Sequence, residues 1–189
     1  MSAELEALRA LLPEPAKDLK LNLQTVLTPT HLSTQQTWGV AIAAAIASRH
    51  VALRDALIAS RPPEVGSAVV EDAYAAASLM GMNNIYYRFR HLVAKPSYAE
   101  MPARLRMNRL AKPATNKVDF ELYSLAVSAI GACETCVQAH ERVVLEGGLT
   151  EAHVQDAVRI TATVYGAAVA LEGADVLQKS TTESTAISP

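Results

Sequence analysis

Cysteine is scarce in this chain, and neither sign of charge dominates. Two cysteines occur among 189 residues, and 17 Lys and Arg stand against 19 Asp and Glu, which gives a formal net charge of −2. Two cysteines are too few for a disulfide-rich secreted scaffold. A nearly neutral chain also gives no electrostatic basis for binding nucleic acid or an anionic membrane surface. The composition therefore argues against all three of these classes.

Long hydrophobic runs are also missing. The longest, from Gly39 to Ser48, is rich in alanine and is far shorter than the roughly 20 residues of a membrane span, so we expect a buried core helix there. The first residues, Met1 to Leu5, carry an acidic side chain and no apolar stretch of the signal-peptide kind. We therefore expect a cytoplasmic protein with no membrane partner, in a compartment that keeps thiols reduced.

Glycine is infrequent, at 8 residues, and half of the chain (50%) is apolar. No turn signal links alternating strands, so the sequence predicts a packed, single-domain all-α fold. Ser33 and Gln36 are typical of a capping box, and glycines or prolines separate most of the other segments. Helices are predicted over residues 4–11, 16–26, 33–48, 51–59, 65–80, 82–93, 101–110, 118–130, 133–146 and 150–171, with a loop over 94–100. We expect residues 1–172 to form the helical domain and residues 173–189 a mobile tail.

An internal repeat of one helix pair is left open by the sequence. A shift of 50 residues places Glu71 on Glu121, Ala76 on Ala126, Ser78 on Ser128 and Gly81 on Gly131. The same shift places Asn83, Tyr86 and Arg90 where Cys133, Cys136 and His140 stand. Alanine-rich helices match easily by chance, so these four identities do not decide between a duplication and coincidence.

The two cysteines form the motif Cys133-Glu134-Thr135-Cys136, which follows Gly131. If both lie on one helix, Cys136 is about 60° around it from Cys133, and His140 falls between them. The start of a helix favours the thiolate form, which attacks peroxides and disulfides. The motif therefore favours thiol–disulfide chemistry, with His140 as a base of near-neutral pKa.

Two other interpretations of these residues remain open. The cysteines could be small buried apolar side chains with no reactive role. Cys133, Cys136, His140 and Glu121 could also be counted as four zinc ligands, although no second C-x-x-C or H-x-x-x-H pair is present. From the sequence alone, Glu121 is best explained as a surface carboxylate in the first turn of its helix. The helical angle of Thr135 points it away from the thiol face.

At this point the sequence resembles the alkyl hydroperoxide reductase D (AhpD) family of the carboxymuconolactone-decarboxylase-like superfamily. The C-x-x-C motif, His140 and the preceding helix with its glutamate carry the resemblance. It continues through most of the chain, to about residue 172, in the segments Lys17–Leu23, Met80–Asn84, Tyr86–Arg88, Leu105–Asn108 and Asp119–Ile130. The spacing of the glutamate, the C-x-x-C motif and the histidine is specific, whereas C-x-x-C alone is not.

The resemblance implies an all-helical homotrimer that acts as a lipoyl-dependent alkyl hydroperoxide reductase. Such an enzyme reduces hydroperoxides weakly by itself and regenerates an AhpC-type peroxiredoxin. It needs no bound cofactor, because electrons come from NADH through dihydrolipoamide dehydrogenase and a lipoyl-bearing acyltransferase.

The resemblance also implies roles for the four site residues. Glu121 and His140 relay protons through water toward Cys133, and Cys133 helps to deprotonate Cys136. Cys136 attacks the substrate or joins the partner in a mixed disulfide, which Cys133 resolves. The helix dipole by itself would favour Cys133 as the attacking thiol, but greater exposure of Cys136 can decide which sulfur meets a partner.

One residue departs from the family pattern. Members often carry a histidine just before the second cysteine, where this chain has Thr135. The departure leaves open the choice of substrate or partner. A general disulfide reductase of the same fold with another partner, and a non-catalytic helical binding module with structural thiols or zinc, are the alternative functions.

Overall fold

The computed structural model describes residues 2–177, and over that range the regular structure is entirely helical. This confirms the predicted all-α class. The α-helices are α1 Ala3–Ala10, α2 Lys17–Thr25, α3 Thr34–Ser48, α4 Val51–Ser60, α5 Ser67–Val93, α6 Pro96–Glu100, α7 Lys117–Ile130, α8 Glu134–Glu146 and α9 Glu151–Glu172. Short 3₁₀ turns cover Glu14–Ala16 and Asn108–Ala111.

Helices α3 and α7 form the centre of the bundle. Residues 37–45 of α3 and 119–128 of α7 are all buried, and the two helices pack against each other and against α5 and α9. They approach closely because α3 has a glycine at the contact: a Cβ on Gly39 would lie 2.2 Å from Cζ of Tyr123. The apolar run that begins at Gly39 is thus a buried core helix, as predicted.

Local capping signals in the sequence are confirmed at two helix starts. The backbone N–H of Gln36 donates to Oγ of Ser33 at 3.2 Å, and the N–H of Ser33 donates to Oε1 of Gln36 at 2.9 Å. These reciprocal bonds satisfy two N–H groups that a helix start leaves free. Thr150 is the N-cap of α9, also as predicted.

The predicted helix break at Gly81 is wrong. Helix α5 continues through it as a single helix of 27 residues. A glycine inside a helix costs only about 1 kcal/mol relative to alanine, and burial of neighbouring apolar side chains such as Ala77 and Met80 readily outweighs this cost. The break at Gly131 therefore has no counterpart in α5, and the first half of the suggested repeat is not a helix pair.

The predictions for residues 94–110 are also wrong in detail. The expected loop contains α6, and the expected helix over 101–110 is irregular until the 3₁₀ turn at Asn108–Ala111. We call residues 101–116 the strap. Asp72, which is fully buried, accepts bonds from the backbone N–H groups of Ala114 and Thr115 at 2.8 and 2.7 Å and from Arg109 at 2.9 Å. These long-range bonds to α5, rather than a local helix, hold the strap in place.

Two further expectations concern a membrane span and the C-terminal tail. Over residues 2–177, no helix combines the length and apolar character needed to cross a lipid bilayer. Helix α9 ends at Glu172. The expected mobile tail over 173–189 stays a prediction, because residues 178–189 lie outside the described residues.

Candidate active site

A sharp corner between α7 and α8 positions the C-x-x-C motif. Helix α7 ends at Ile130, Gly131 follows, and Ala132 adopts a left-handed conformation with φ of +48°. Cys133 is the N-cap of α8, with extended backbone angles, and not a helical residue as predicted. The angles that assumed a helical Cys133 therefore do not apply. The corner nevertheless delivers both cysteines to the first turn of α8.

Cys133 and Cys136 are joined by a disulfide in this structure, with their Cα atoms 5.3 Å apart. Cys133 is fully buried, whereas Cys136 keeps 6% of its surface exposed. A molecule that approaches the disulfide from outside therefore meets the sulfur of Cys136 first. This difference in burial agrees with the difference in exposure that the resemblance implies.

A buried carboxylate contacts the histidine of the predicted site. Oε2 of Glu121 lies 2.5 Å from Nδ1 of His140, and the two side chains are only 8% and 12% exposed. The interpretation of Glu121 as a surface carboxylate is therefore wrong. Packing of α7 against α8 turns this side of α7 inward, and Lys117 covers the outer oxygen, Oε1, at 3.4 Å.

The surroundings of Glu121 favour its ionised form. Burial by itself would raise the pKa of Glu121, but the hydrogen bond and charge of His140 and the charge of Lys117 outweigh burial and lower that pKa. An ionised carboxylate only accepts hydrogen bonds, so Nδ1 of His140 carries the proton and donates it. The ring is thereby fixed with Nε2 on its other side, where it lies 3.1 Å from Sδ of Met80.

A pocket of about 280 Å³ opens beside Cys136. Helix α8 contributes Thr135, Cys136, Ala139 and His140, α5 contributes Met80, Asn83 and Tyr87, and the strap contributes Met107 and Leu110. The walls from α5 and the strap are mainly apolar. Thr135 also lines this pocket. The helical angle predicted for it was measured from Cys133, which is not a helical residue, so the orientation of Thr135 stays a prediction.

These distances and contacts define the site. Similarity to known proteins shows the family to which the chain belongs. Residues 96–179 match the carboxymuconolactone decarboxylase family. The chain is 62% identical to alkyl hydroperoxide reductase AhpD from Anaeromyxobacter dehalogenans (strain 2CP-C), over 90% of this chain and 91% of the relative. It is 50% identical to the protein of the same name from Gluconacetobacter diazotrophicus, over 92% and 95% of the two chains. The AhpD protein of Brucella suis is 47% identical over 90% and 98%.

The chain belongs to the AhpD family.

Two residues of this AhpD family member that sequence reasoning missed hold the corner from α5. Asn84 donates from Nδ2 to the carbonyl oxygen of Val127 at 3.4 Å and accepts from Oγ of Ser128 at 3.0 Å. Arg88 donates to the carbonyl oxygen of Gly131. All three bonds cross more than forty positions in the sequence, so no local pattern reveals them.

Other acidic and histidine side chains lie outside this cluster. Glu134 is exposed and lies 3.3 Å from Nε2 of His91, while His31 contacts Asp156 at 2.8 Å. His50 and His153 accept backbone N–H bonds at helix starts. Within the described part of the chain, no three His, Cys, Asp or Glu side chains come together as metal ligands would.

Proposed function

We propose that this AhpD family member is an antioxidant thiol peroxidase. It reduces organic hydroperoxides and regenerates an AhpC-type peroxiredoxin through the Cys133–Cys136 dithiol. One observation carries the proposal: the more accessible sulfur of the disulfide lines a largely apolar pocket that also contains a carboxylate-bound histidine. The name alkyl hydroperoxide reductase, borne by relatives up to 62% identical, supports the same chemistry.

In the oxidative half-reaction, the Cys136 thiolate attacks the terminal oxygen of a hydroperoxide. An S–O bond forms and the O–O bond breaks, which leaves a sulfenic acid on Cys136 and an alcohol once the leaving alkoxide takes a proton. The Cys133 thiol then attacks Sγ of Cys136 and releases water. The net change is one hydroperoxide and two thiols to one alcohol, one water and one disulfide.

Glu121 and His140 supply and remove the protons in this scheme. A free thiol of pKa near 8.5 is mostly protonated at neutral pH, and a positioned base contributes roughly 10²–10⁴ in rate. Glu121 holds His140 through Nδ1, and Nε2, which lies 3.1 Å from Sδ of Met80, accepts the proton once it leaves that contact. His140 takes the proton of Cys133 through a water that lies between Nε2 and the thiols, and the Cys133 thiolate then takes the proton of Cys136.

In the reductive half-reaction, a dithiol attacks Sγ of Cys136, the more accessible of the two cysteines. A dihydrolipoyl thiolate forms a mixed disulfide with Cys136, and Cys133 leaves as a thiolate. The second lipoyl thiol then closes the lipoyl disulfide and releases Cys136. Dihydrolipoamide dehydrogenase restores the lipoyl group of the acyltransferase with electrons from NADH, and no cofactor is bound to this protein itself. The need to keep the dithiol reduced favours a cytoplasmic location.

We also propose a homotrimer, as the family resemblance implies. Ile85, Phe89 and Leu92 are exposed at helical spacing along α5, and the half-exposed ring of Tyr98 packs edge-on against Phe89. A contiguous exposed apolar surface of this kind is typical of a subunit interface. Light scattering tests the assembly: a mass near three times 20.2 kDa is expected, and a stable mass near one chain contradicts it.

The function is tested by NADH oxidation with dihydrolipoamide dehydrogenase, a lipoylated acyltransferase domain and cumene hydroperoxide. Slow turnover is expected with this protein alone and faster turnover when an AhpC-type peroxiredoxin is added. Turnover of other disulfides without any hydroperoxide activity would instead favour a general disulfide reductase. Two reactive thiols after reduction, none after oxidation and no bound zinc would exclude the structural-thiol alternative.

A further inference from the structure

Two adjacent asparagines of α5 differ in the hydrogen bonds that their side chains make. Asn83 and Asn84 are equally buried, with 4% of each exposed. The amide of Asn84 is paired on both sides, with Val127 and Ser128. Oδ1 of Asn83 is fully buried and has no hydrogen-bond partner among residues 2–177. Buried carbonyl oxygens nearly always have a partner, so an unpaired one needs an explanation.

The location of Asn83 supplies that explanation. Asn83 lines the pocket beside Cys136 and His140, between the apolar side chains of Met80 and Tyr87. An unpaired acceptor weakens the folded state, and it is tolerated where a ligand completes the bond. The pocket therefore combines an apolar wall, a reactive sulfur and a lining amide whose oxygen is unpaired and closed off from solvent.

We propose that the amide of Asn83 turns about its Cβ–Cγ bond when a hydroperoxide binds, so that Oδ1 accepts the O–H of the hydroperoxide and orients its terminal oxygen toward Sγ of Cys136. The inference rests on the proposed function and adds a substrate-binding residue to it. The organic group of the hydroperoxide lies against Met80, Tyr87 and Leu110. When Cys136 attacks, the S–O bond forms as the O–O bond breaks, the hydroxyl stays on sulfur as sulfenic acid, and the alkoxide leaves to take a proton.

An O–H group fits this acceptor better than a thiol does. The S–H group is a weak donor, so a dihydrolipoyl thiol gains little from a buried amide oxygen, whereas a hydroperoxide O–H makes a normal hydrogen bond. Asn83 should thus affect the oxidative half-reaction and leave the reductive one unchanged. This separates a substrate-orienting role from a general effect on the cysteines.

The test uses Asn83→Leu, which keeps the branched shape of the side chain and removes the acceptor, with Asn83→Ala as a second variant should the larger leucine disturb packing. Single-turnover oxidation of the prereduced protein by cumene hydroperoxide is followed by acid quench and mass spectrometry. We expect a roughly five- to tenfold lower rate, the effect of one lost hydrogen bond. Alkylation of the reduced protein by N-ethylmaleimide, which has no O–H or N–H, should stay within about twofold of the original rate, because a probe without a donor loses no hydrogen bond.

Thermal unfolding supplies an independent readout with a matched control. Asn83→Leu removes an unpaired buried oxygen and should lower the Tm less than Asn84→Leu, which adds the same volume and breaks two bonds. The proposal is overturned by an equal loss of hydroperoxide and maleimide reactivity, or by slower reduction of the disulfide by dihydrolipoamide with normal oxidation. It is also overturned if Asn83→Leu lowers the Tm as much as Asn84→Leu does. If the unsubstituted, reduced protein does not react with cumene hydroperoxide, the proposed function itself fails.

Discussion

Arg88 of α5 donates a hydrogen bond to the carbonyl oxygen of Gly131, the residue that follows the end of α7. Asn84, one turn earlier on α5, bonds the last turn of α7 through Val127 and Ser128. The corner that presents the C-x-x-C motif is thus fixed from a third helix. This corner, the thiols, the buried carboxylate of Glu121 and the distant carboxylate of Asp156 each lead to a testable prediction.

Replacing Gly131 with alanine should distort the corner. A Cβ at this position would lie 2.4 Å from Nδ2 of Asn84, so the asparagine must move. We expect a loss of about 1–3 kcal/mol in the free energy of unfolding and slower turnover. Gly81→Ala is the matched control: a Cβ there meets nothing within 4 Å, and better helix propensity should add about 0.5–1 kcal/mol. Urea unfolding measures both, and equal changes in the two variants would contradict the packing argument.

The two cysteines should behave differently when each is replaced by serine. Cys136→Ser removes the accessible nucleophile, so hydroperoxide reduction and transfer to the peroxiredoxin should both stop. Cys133→Ser removes the resolving thiol and should trap a mixed disulfide through Cys136. Non-reducing gels and intact mass spectrometry detect the trapped species. Normal turnover of Cys133→Ser would show that Cys133 has no resolving role.

Removing the charge of Glu121 should slow catalysis without unfolding the protein. Glu121→Gln keeps the side-chain size but weakens the hold on His140, and we expect turnover to fall by roughly 10²-fold or more. The pH–rate profile should move to higher pH, because the thiol must then ionise nearer its own pKa of about 8.5. Glu134→Gln, an exposed neighbour paired with His91, is the control. Equal losses in the two variants would remove Glu121 from the relay.

Asp156 should contribute a pH-dependent part of the stability. Burial alone would raise its pKa, but bonds from Thr30 and from the side chain and backbone of His31 lower that pKa to about 2. Since the folded pKa lies below the unfolded value, this stabilisation is present above about pH 4 and is lost as the pH falls toward 2. It amounts to roughly 2 kcal/mol.

Asp156→Asn should therefore lower the free energy of unfolding at pH 7 and flatten its decline between pH 4 and 2. Urea unfolding across this range is the measurement. Asp55→Asn, at an exposed position paired with Arg54, should change neither value appreciably. An unaltered pH dependence in Asp156→Asn would show that the anchor does not hold the ionised carboxylate.

Local sequence signals predicted most helices, since they depend on nearby residues. The reciprocal bonds of Ser33 and Gln36 are an example, because both partners lie within one turn. The prediction at Gly81 failed because burial along α5 outweighs the small cost of one glycine. The strap was misassigned because its anchor, Asp72, lies about forty positions away.

The same difference between local signals and long-range contacts applies to the candidate site. The C-x-x-C motif and His140 are close in sequence and could be found from it. The burial of Glu121 depends on how α7 packs on α8, and its own helix gave no sign of that contact. Asn83 lies in the segment Met80–Asn84, which carries part of the family resemblance, but nothing in that segment gave it a role. Its unpaired oxygen only becomes evident once α5, α8 and the strap are assembled around the pocket.

Helix α5 contributes to both the pocket and the corner, from different sides of the helix. Met80, Asn83 and Tyr87 shape the pocket, while Asn84 and Arg88 hold the corner that carries the cysteines. A single side-chain change on the pocket side can alter which molecule is admitted and leave the dithiol untouched. A shift of the whole helix would change both together. Substrate preference in this fold can therefore change through single substitutions. A change in the geometry of the thiol pair needs a movement of the whole helix.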